Sequence, residues 1–154
     1  MTETNDPLHL DRQLCFAVYA AAHAFTAAYK PLLDRLGLTY PQYLVMLVLW
    51  ERDGLAVKEI AARLQLDSAT LTPLLKRLET VGNVRRRRDP ADERQLRVEL
   101  TDEGRGLRAR AGAGRERIVC ALGGSEQPIQ ELRQKLQEIV PVLRALSAER
   151  GPSE

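Results

Sequence analysis

The sequence predicts a mainly α-helical fold with a small β wing, in which a winged helix-turn-helix is flanked by long helices. Composition is the first observation: 154 residues with 44% hydrophobic but only 5% aromatic residues suit one helical domain better than a β-sandwich. The second observation is a pair of short helical patterns joined by a tight turn, and the third is a pair of strand-like segments directly after them.

The first predicted element is a long helix over residues 8–36. Apolar residues keep a helical period from Leu10 onwards, and the uninterrupted apolar run Leu14–Ala22 covers most of the helix circumference. A helix that is apolar on several sides is normally buried on several sides, so we expect a partner subunit to cover it. Pro31 is expected to bend or interrupt the helix.

A second helix is predicted over residues 44–51. Thr39 and Gln42 have the spacing of a capping box, and Pro41 suits the first turn of a helix, where its missing N–H costs nothing. Asp53-Gly54 then predicts a turn, which is followed by a very short strand over residues 55–57.

Two short helices follow, over residues 57–64 and 69–81. Asp67 or Ser68 is a favourable N-cap for the second of them, and Gly82-Asn83 ends it in the manner of a C-cap. Because only about four residues join the two helices, the segment has the outline of a helix-turn-helix.

A β-hairpin is predicted directly after the helix-turn-helix, which makes the segment a winged helix. Residues 84–88 and 95–100 flank a turn rich in Asp, Glu and Pro, and apolar residues alternate with charged ones in the second segment. Two helices complete the chain, one from Thr101 and one over residues 126–146. Gly123-Gly124 separates them.

Basic residues are concentrated in the middle of the chain. The formal net charge is only +2, but residues 58–97 hold ten basic and six acidic residues, a local charge of +4. Nineteen of the 23 basic residues are arginine, whose guanidinium forks onto phosphates and guanine edges. This distribution fits a nucleic-acid-binding protein and, equally, a solvated basic surface.

Several classes of protein do not fit this sequence. Its longest apolar run is far shorter than the ~20 residues that a membrane helix needs, and no secretory signal is visible, so we expect a soluble cytoplasmic protein without a membrane partner. Two distant cysteines make neither a disulfide scaffold nor a zinc site, and His9 and His23 lack partners at metal-ligand spacing. Without phosphate-binding or hydrolytic motifs, we expect no cofactor, no metal and no enzyme activity.

The order of these elements resembles the MarR family of transcriptional regulators over nearly the whole chain. Within that family, four blocks look like the organic hydroperoxide resistance regulators: residues 13–16 (QLCF), 29–33 (YKPLL), 39–44 (TYPQYL) and 67–73 (DSATLTP). Those regulators are dimeric repressors that leave DNA when a cysteine near the N-terminus is oxidised. The resemblance implies one MarR-like domain over residues 1–154, with a DNA-binding lobe at 57–100 and dimerisation helices at 8–36 and 102–148.

The resemblance also implies which residues meet DNA. Hydroxyls near the start of the second short helix can reach bases or phosphates in the major groove, and its later cations suit phosphates. At the wing tip, Asp92 is implied to hold Arg94 ready for the minor groove. Alternatively, Ser68 only caps the helix and the cations are solvated. The predicted DNA-binding residues are Ser68, Thr70, Lys76, Arg77, Arg86, Asp92 and Arg94.

Sensing chemistry is assigned to Cys15 by the same resemblance, whereas a lone cysteine on an apolar helix is otherwise interpreted as packing. Tyr29 and Tyr40 are implied to hydrogen-bond to the sulfur of the other subunit and to favour the thiolate, which attacks peroxides. Apolar neighbours such as Phe16 would favour lipophilic organic hydroperoxides. Tyr19, four residues after Cys15, either lines the same pocket or belongs to the core.

Cys120 is predicted to lie off the apolar face of the helix that starts at Thr101, so it does not have the pattern of a core residue. A thiol in such a position could attack a sulfenic acid formed at Cys15. Some hydroperoxide regulators carry such a late second cysteine, whereas others lack it and end as mixed disulfides with small thiols; this chain resembles the two-cysteine kind. We expect the bond to cross subunits, because the first and last helices should form the dimer interface.

The predicted function is therefore a homodimeric repressor that binds double-stranded DNA at a pseudo-palindromic operator and releases it when organic hydroperoxide oxidises Cys15. Two recognition helices about one DNA turn apart (~34 Å) would read that operator. One alternative is a MarR-type regulator released by a small phenolic ligand without covalent chemistry. Another, of a different class, is a thiol peroxidase, in which the wing and recognition helix would have no use.

Overall fold

The computed structural model describes residues 6–148, and these residues confirm the mainly helical fold with a small β wing. Two compact units make up the chain, one ending at Gly114 and the other beginning at Arg115. The helices are α1 (Leu14–Leu36), α2 (Tyr40–Glu51), α3 (Val57–Leu64), α4 (Ser68–Thr80), α5 (Asp102–Ala121) and α6 (Glu126–Ala148). The strands are β1 (Leu55–Ala56), β2 (Val84–Arg88) and β3 (Leu96–Leu100).

Helix α1 begins at Leu14 and not at residue 8 as predicted. A short 3₁₀ turn, Leu10–Arg12, precedes it, and the side-chain amide of Gln13 donates to the Pro7 carbonyl at 2.7 Å, which stabilises the non-helical entry. The predicted interruption at Pro31 is wrong, because the helix continues through the proline to Leu36. Leu36 is buried and holds the last turn on the core, which offsets the hydrogen bond that proline removes.

Helix α2 has the predicted capping box and begins at Tyr40, four residues earlier than predicted. The Gln42 N–H donates to Thr39 Oγ1 at 3.4 Å, and the Thr39 N–H donates to Gln42 Oε1 at 2.9 Å. The helix is apolar on most sides and lies inside the core. Trp50 packs there, with its indole N–H donating to the Gly104 carbonyl at 2.8 Å.

The three strands form one antiparallel sheet in the order β1-β3-β2. Leu55 lies opposite Val98, and Val84 lies opposite Leu100, so one face of the sheet carries apolar residues. The predicted alternation on β3 holds for Val98 and Leu100, which are buried, whereas Leu96 is exposed at the wing end of the strand. The base of the hairpin thus supplies its buried apolar side chains.

Helices α3 and α4 form the helix-turn-helix. Helix α3 has the predicted bounds, and α4 begins at Ser68 with Asp67 as its N-cap, whose Oδ1 accepts the Thr70 N–H at 2.6 Å. That hydrogen bond holds the pKa of Asp67 below its usual range. The core that fixes both helices is built by fully buried side chains: Val45, Met46, Leu49, Ile60, Leu71, Leu75, Leu78, Val84 and Val98.

The last two helices are long and mostly exposed. Helix α5 buries Gly104, Leu107 and Ala111 along its first half, and Arg115 pairs with Glu126 at 3.0 Å across the turn into α6. No residue of α6 is buried, although Leu132, Leu143 and other large apolar side chains repeat along it. Among residues 6–148, no helix combines the length and apolar character that crossing a lipid bilayer requires.

Candidate nucleic-acid interface and thiol sensor

A groove of about 290 Å³ separates the start of α4 from the tip of the wing. Its walls come from the first turn of α3, the outer face of α4 and the hairpin. Several of the predicted DNA-binding residues therefore meet in one place although the sequence separates them. The lining residues are Ala56, Val57, Lys58, Ser68, Thr72, Leu75, Arg86, Arg94, Gln95 and Leu96.

Helix α4 presents its polar side chains in two directions. Ser68 and Thr72 face the groove, and Lys76 lies one helical turn beyond them on the same side. Arg77 instead lines a second groove of about 490 Å³ beside the junction of α1 and α2, so the structure does not bring it to the wing. Thr70 is exposed on the flank of the first turn.

The wing tip holds Arg94 through its backbone. Asp92 Oδ1 accepts the Arg94 N–H at 3.1 Å, and Asp92 Oδ2 accepts the Gln95 side-chain amide at 3.0 Å. Asp92 therefore contacts the main chain of Arg94 and not its guanidinium. Within the described part of the chain, no hydrogen bond or ion pair engages the guanidinium of Arg94, which leaves its donors available to a ligand.

Arg86 differs from Arg94 because Glu79 of α4 already binds it. The Arg86 Nη2 lies 2.7 Å from the Glu79 carboxylate, its Nε donates at 2.9 Å, and its backbone N–H donates at 3.0 Å. The Arg86 side chain holds the pKa of Glu79 below its usual range. The half-buried pair therefore ties the wing to α4, and the cationic potential of this arginine is largely neutralised.

The neighbouring arginines of β2 are also partly neutralised. Arg85 and Arg87 share Glu99 of β3, at 2.8 and 3.7 Å. Arg88 donates to the Glu93 carbonyl at 3.0 Å. The four consecutive cations of the sequence therefore carry less unpaired charge than their number suggests.

Sequence reasoning missed three polar residues of the groove: Lys58, Thr72 and Gln95. Thr72 could have been found, because it is four residues after Ser68 and therefore on the same side of a helix. Lys58 and Gln95 carry no such signal, since only the folded chain places the first turn of α3 and the wing beside α4.

Cys15 is the second residue of α1 and is exposed, with a free thiol. Phe16 and Tyr19 beside it are also exposed, at 39% and 62%. Tyr19 does not belong to the core of this chain, and its ring packs against His23 at a centroid distance of 4.4 Å. A solvent-facing apolar surface therefore surrounds the thiol.

The predicted pocket tyrosines belong to one aromatic cluster at the other end of α1. Tyr29 and Tyr40 meet edge to face with ring centroids 5.7 Å apart, and Tyr43, which sequence reasoning missed, lies 5.6 Å from Tyr29. Burial, and then the neighbouring Tyr29, raise the pKa of Tyr40. Fourteen residues of continuous helix, a rise of about 21 Å, separate Cys15 from Tyr29, so one chain does not bring them together.

Cys120 lies in the last turn of α5 and is exposed as a free thiol. Its position off the buried stripe of α5 agrees with the predicted helical wheel. In the part of the chain that the structure describes, no three His, Cys, Asp or Glu side chains are grouped so that they could hold a metal ion.

Comparisons with known proteins identify the type of molecule. The family model described as transcriptional regulator SarA/Rot matches residues 27–110. The chain is 53% identical over 154 residues to the HTH-type transcriptional regulator TtmR of Methylorubrum extorquens, covering 99% of this chain and 77% of TtmR. It is 43% identical to the organic hydroperoxide resistance transcriptional regulator of Bacillus subtilis, covering 92% of this chain and 94% of that relative.

Solved structures agree with the sequence comparisons. Reduced AbfR bound to DNA, a Staphylococcus epidermidis protein, superposes with a TM-score of 0.76 at 39% identity, covering 89% of this chain and 94% of that one. The disulfide form of AbfR superposes with a TM-score of 0.62 at 35% identity, covering 90% and 92%.

The family model spans more than half of the chain, and the two curated relatives exceed 40% identity over nearly all of it. The resemblance to MarR-type hydroperoxide regulators is thereby confirmed. Both curated relatives are named transcriptional regulators and AbfR was solved bound to DNA, so the thiol peroxidase alternative loses its support. The chain belongs to the SarA/Rot and MarR family of winged-helix transcriptional regulators.

Proposed function

We propose that the protein is a homodimeric DNA-binding repressor, and that organic hydroperoxides release it from its operator by oxidising Cys15. The observation that carries DNA binding is the groove between α4 and the wing, where Lys58, Ser68, Thr72 and Arg94 converge. The relative whose name contains organic hydroperoxide resistance, at 43% identity, supports the redox part.

In this proposal α4 lies in the major groove of DNA, where Ser68, Thr70 and Thr72 reach bases or phosphates. Lys76 and Arg77 contact phosphates on the flanks of the helix. Arg94 enters the minor groove from the wing, because its guanidinium has no partner within the described residues. AbfR, which was captured on DNA in its reduced form, is a structural precedent for such docking.

A second subunit completes the molecule. Exposed apolar residues along α1 and α6 supply the dimerisation surfaces. They support the proposed assignment of residues 8–36 and 102–148 to dimerisation. Residues 57–100 are assigned to DNA binding. A two-fold dimer places its recognition helices about one DNA turn apart, ~34 Å, and thereby reads a pseudo-palindromic operator.

The dimer also completes the proposed sensor pocket. Because about 21 Å of helix separates Cys15 from Tyr29, the tyrosines that meet this thiol must come from the other subunit. The Cys15 thiolate attacks the terminal peroxide oxygen of ROOH; the S–O bond forms, the O–O bond breaks, and the alkoxide leaves as ROH after taking a proton. Cys15 is oxidised to a sulfenic acid and the peroxide is reduced. Apolar neighbours such as Phe16 favour lipophilic hydroperoxides.

A disulfide completes the proposed switch. A thiolate attacks the sulfenic sulfur, an S–S bond forms and hydroxide leaves. Cys120 is exposed and supplies this thiol in the proposed two-cysteine mechanism. AbfR is a relative for which a disulfide form has been solved.

The DNA-binding part is tested with a fluorescein-labelled duplex that the wild-type protein selects from a random-sequence library. Arg94→Ala should weaken its binding by about 1–3 kcal/mol at fixed salt without altering the thermal unfolding midpoint. Arg110→Ala, which removes an exposed arginine of α5 outside the groove, serves as the matched control. Unchanged affinity of Arg94→Ala would show that the wing does not read DNA.

The sensing part is tested on the same duplex with cumene hydroperoxide as the oxidant. Wild-type protein should dissociate, and Cys15→Ser should bind DNA normally and stay bound, because neither α4 nor the wing contains Cys15. Release of the Cys15→Ser protein by the hydroperoxide would contradict the sensor assignment. Release by a phenolic compound, with no effect of hydroperoxide on the wild type, would favour the non-covalent alternative.

A further inference from the structure

Arg97 of β3 ties the wing to the turn before β1. Its Nη1 donates to the Gly54 carbonyl at 2.8 Å, and its Nε donates to Asp89 Oδ2 at 2.7 Å. The two bonds use two different edges of one guanidinium. Arg97 thus bridges the sheet edge to the residue that directly follows β2.

Asp89 passes this connection to the tip of the wing. Its Oδ1 accepts the Ala91 N–H at 2.9 Å, and its backbone carbonyl accepts the Asp92 N–H at 3.2 Å. Asp92 in turn accepts the Arg94 N–H at 3.1 Å. A continuous path of hydrogen bonds therefore runs from Gly54 to the backbone of Arg94.

Arg97 and Asp89 carry opposite charges, and each side chain depends on the other for its stability. The Asp89 side chain is only 8% exposed, and a buried carboxylate is costly unless it is paired and hydrogen-bonded. Arg97 lies directly opposite Arg87 in the β2–β3 register, an arrangement that is unfavourable for like charges without a compensating anion. The Ala91 N–H, and then Arg97, hold the pKa of Asp89 below its usual range, so the pair is charged at neutral pH.

We infer that Arg97 and Asp89 are positioning residues that hold Arg94 in its DNA-reading place, and that Arg97 itself does not contact DNA. The inference deepens the proposed function and rests on it. Lysine at position 97 would keep the charge but could not satisfy Gly54 and Asp89 from two separate edges, because its ammonium is a single point of charge. The substitution R97K therefore separates positioning from simple phosphate attraction.

The test uses the duplex selected by the wild-type protein and a double-mutant cycle at fixed salt. Arg97→Lys should raise the Kd about five- to tenfold, the effect of one lost charge-assisted hydrogen bond. In the Arg94→Ala background the same change should raise the Kd by less than about twofold, because nothing remains to be positioned. Arg87→Lys, the same substitution directly across the sheet, is the matched control and should bind like the wild type.

Hydrogen exchange of the free protein provides a readout that does not involve DNA. The Ala91 and Arg94 amides should exchange faster in Arg97→Lys and in Asp89→Asn, with the amides of α4 unchanged. Wild-type affinity of Arg97→Lys, or a loss that persists undiminished in the Arg94→Ala background, would overturn the positioning role. Failure of the wild-type protein to select any duplex, with the exchange result intact, would overturn the DNA-binding proposal on which the inference rests.

Discussion

Similar apolar side chains are buried in the segment from α2 to β3 but exposed in the first half of α1. In the first region Met46, Leu49 and Leu78 have at most 1% of their surface exposed. In the second, Leu14 and Tyr19 are each 62% exposed, and α6, at the other end of the chain, buries no residue at all. One chain therefore completes the core of its winged helix but leaves the surface around Cys15 open.

The difference separates the residues that stabilise the fold from those to which the proposed function assigns regulation. A buried core of this kind stabilises the winged helix, because its apolar side chains are removed from water. Large contiguous apolar surfaces left in water are, by contrast, unfavourable and mark an interface. Under the proposed function, the exposed Cys15 thiol responds to a second subunit and to a small oxidant without disturbing the core.

Truncation of a side chain in the buried core should have the largest effect on stability. Leu78→Ala should lower the free energy of unfolding by about 2–5 kcal/mol, because a fully buried side chain leaves a cavity in the core. Urea unfolding followed by circular dichroism measures it. Leu47→Ala on α2, where the side chain is 41% exposed, is the control and should cost less than about 1 kcal/mol. Equal losses of unfolding free energy at Leu78 and Leu47 would show that burial does not distinguish these two positions.

A charge on the open surface should separate the subunits and spare the fold. Val18→Glu on α1 should weaken self-association more than about 100-fold, since the interface would bury an unpaired carboxylate. Light scattering at micromolar concentration should then give the mass of one chain, with the helical signal retained. Leu47→Glu is the control, because Leu47 and Val18 have the same 41% exposure. An unchanged mass for Val18→Glu would show that this surface is not the interface.

Removal of Cys120 should change the covalent state and little else. With cumene hydroperoxide the wild type should run as a disulfide-linked dimer on non-reducing denaturing gels, whereas Cys120→Ser should run as a monomer and still trap a sulfenic acid at Cys15 with dimedone. The unfolding free energy of the reduced variant should match the wild type, because Cys120 is exposed. A wild type that stays monomeric without an internal disulfide would contradict the two-cysteine mechanism.

The smallest effect concerns the cap of α4. Asp67→Ala should lower the thermal unfolding midpoint by a few degrees at neutral pH, since it removes the acceptor of the Thr70 N–H. Because the pKa of Asp67 is depressed in the folded state, its stabilisation is present above its unfolded pKa, about 3.9, and is lost as the pH falls through the folded pKa. The gap between wild type and variant should therefore close at low pH. A gap that does not depend on pH would indicate that the carboxylate is not what stabilises the helix.

Local sequence determined most of the elements. The N-cap at Asp67 and the left-handed Gly37 that ends α1 act over a few residues, so their patterns predict the start of α4 and the end of α1 to within a residue. The capping box at Thr39 was also predicted, although α2 begins at Tyr40 and not at residue 44. The alternation of apolar and polar residues along 95–100 likewise predicted the wing, because successive side chains of a strand point to opposite faces and only one face is buried. The entry to α1 was predicted wrongly, since propensity alone does not register the hydrogen bonds of the Gln13 side chain.

Only the tertiary structure decided which polar side chains are paired within the chain and which remain available to a ligand. Arg85, Arg86 and Arg94 are equivalent cations in the sequence, yet the fold pairs the first two with Glu99 and Glu79, and no described residue engages the third guanidinium. The approach of α3, α4 and the wing likewise brought Lys58 and Gln95 into the groove. The physical reason is range: caps and periodicity act over one or two turns, whereas an ion pair depends on which distant segments the core brings within about 4 Å.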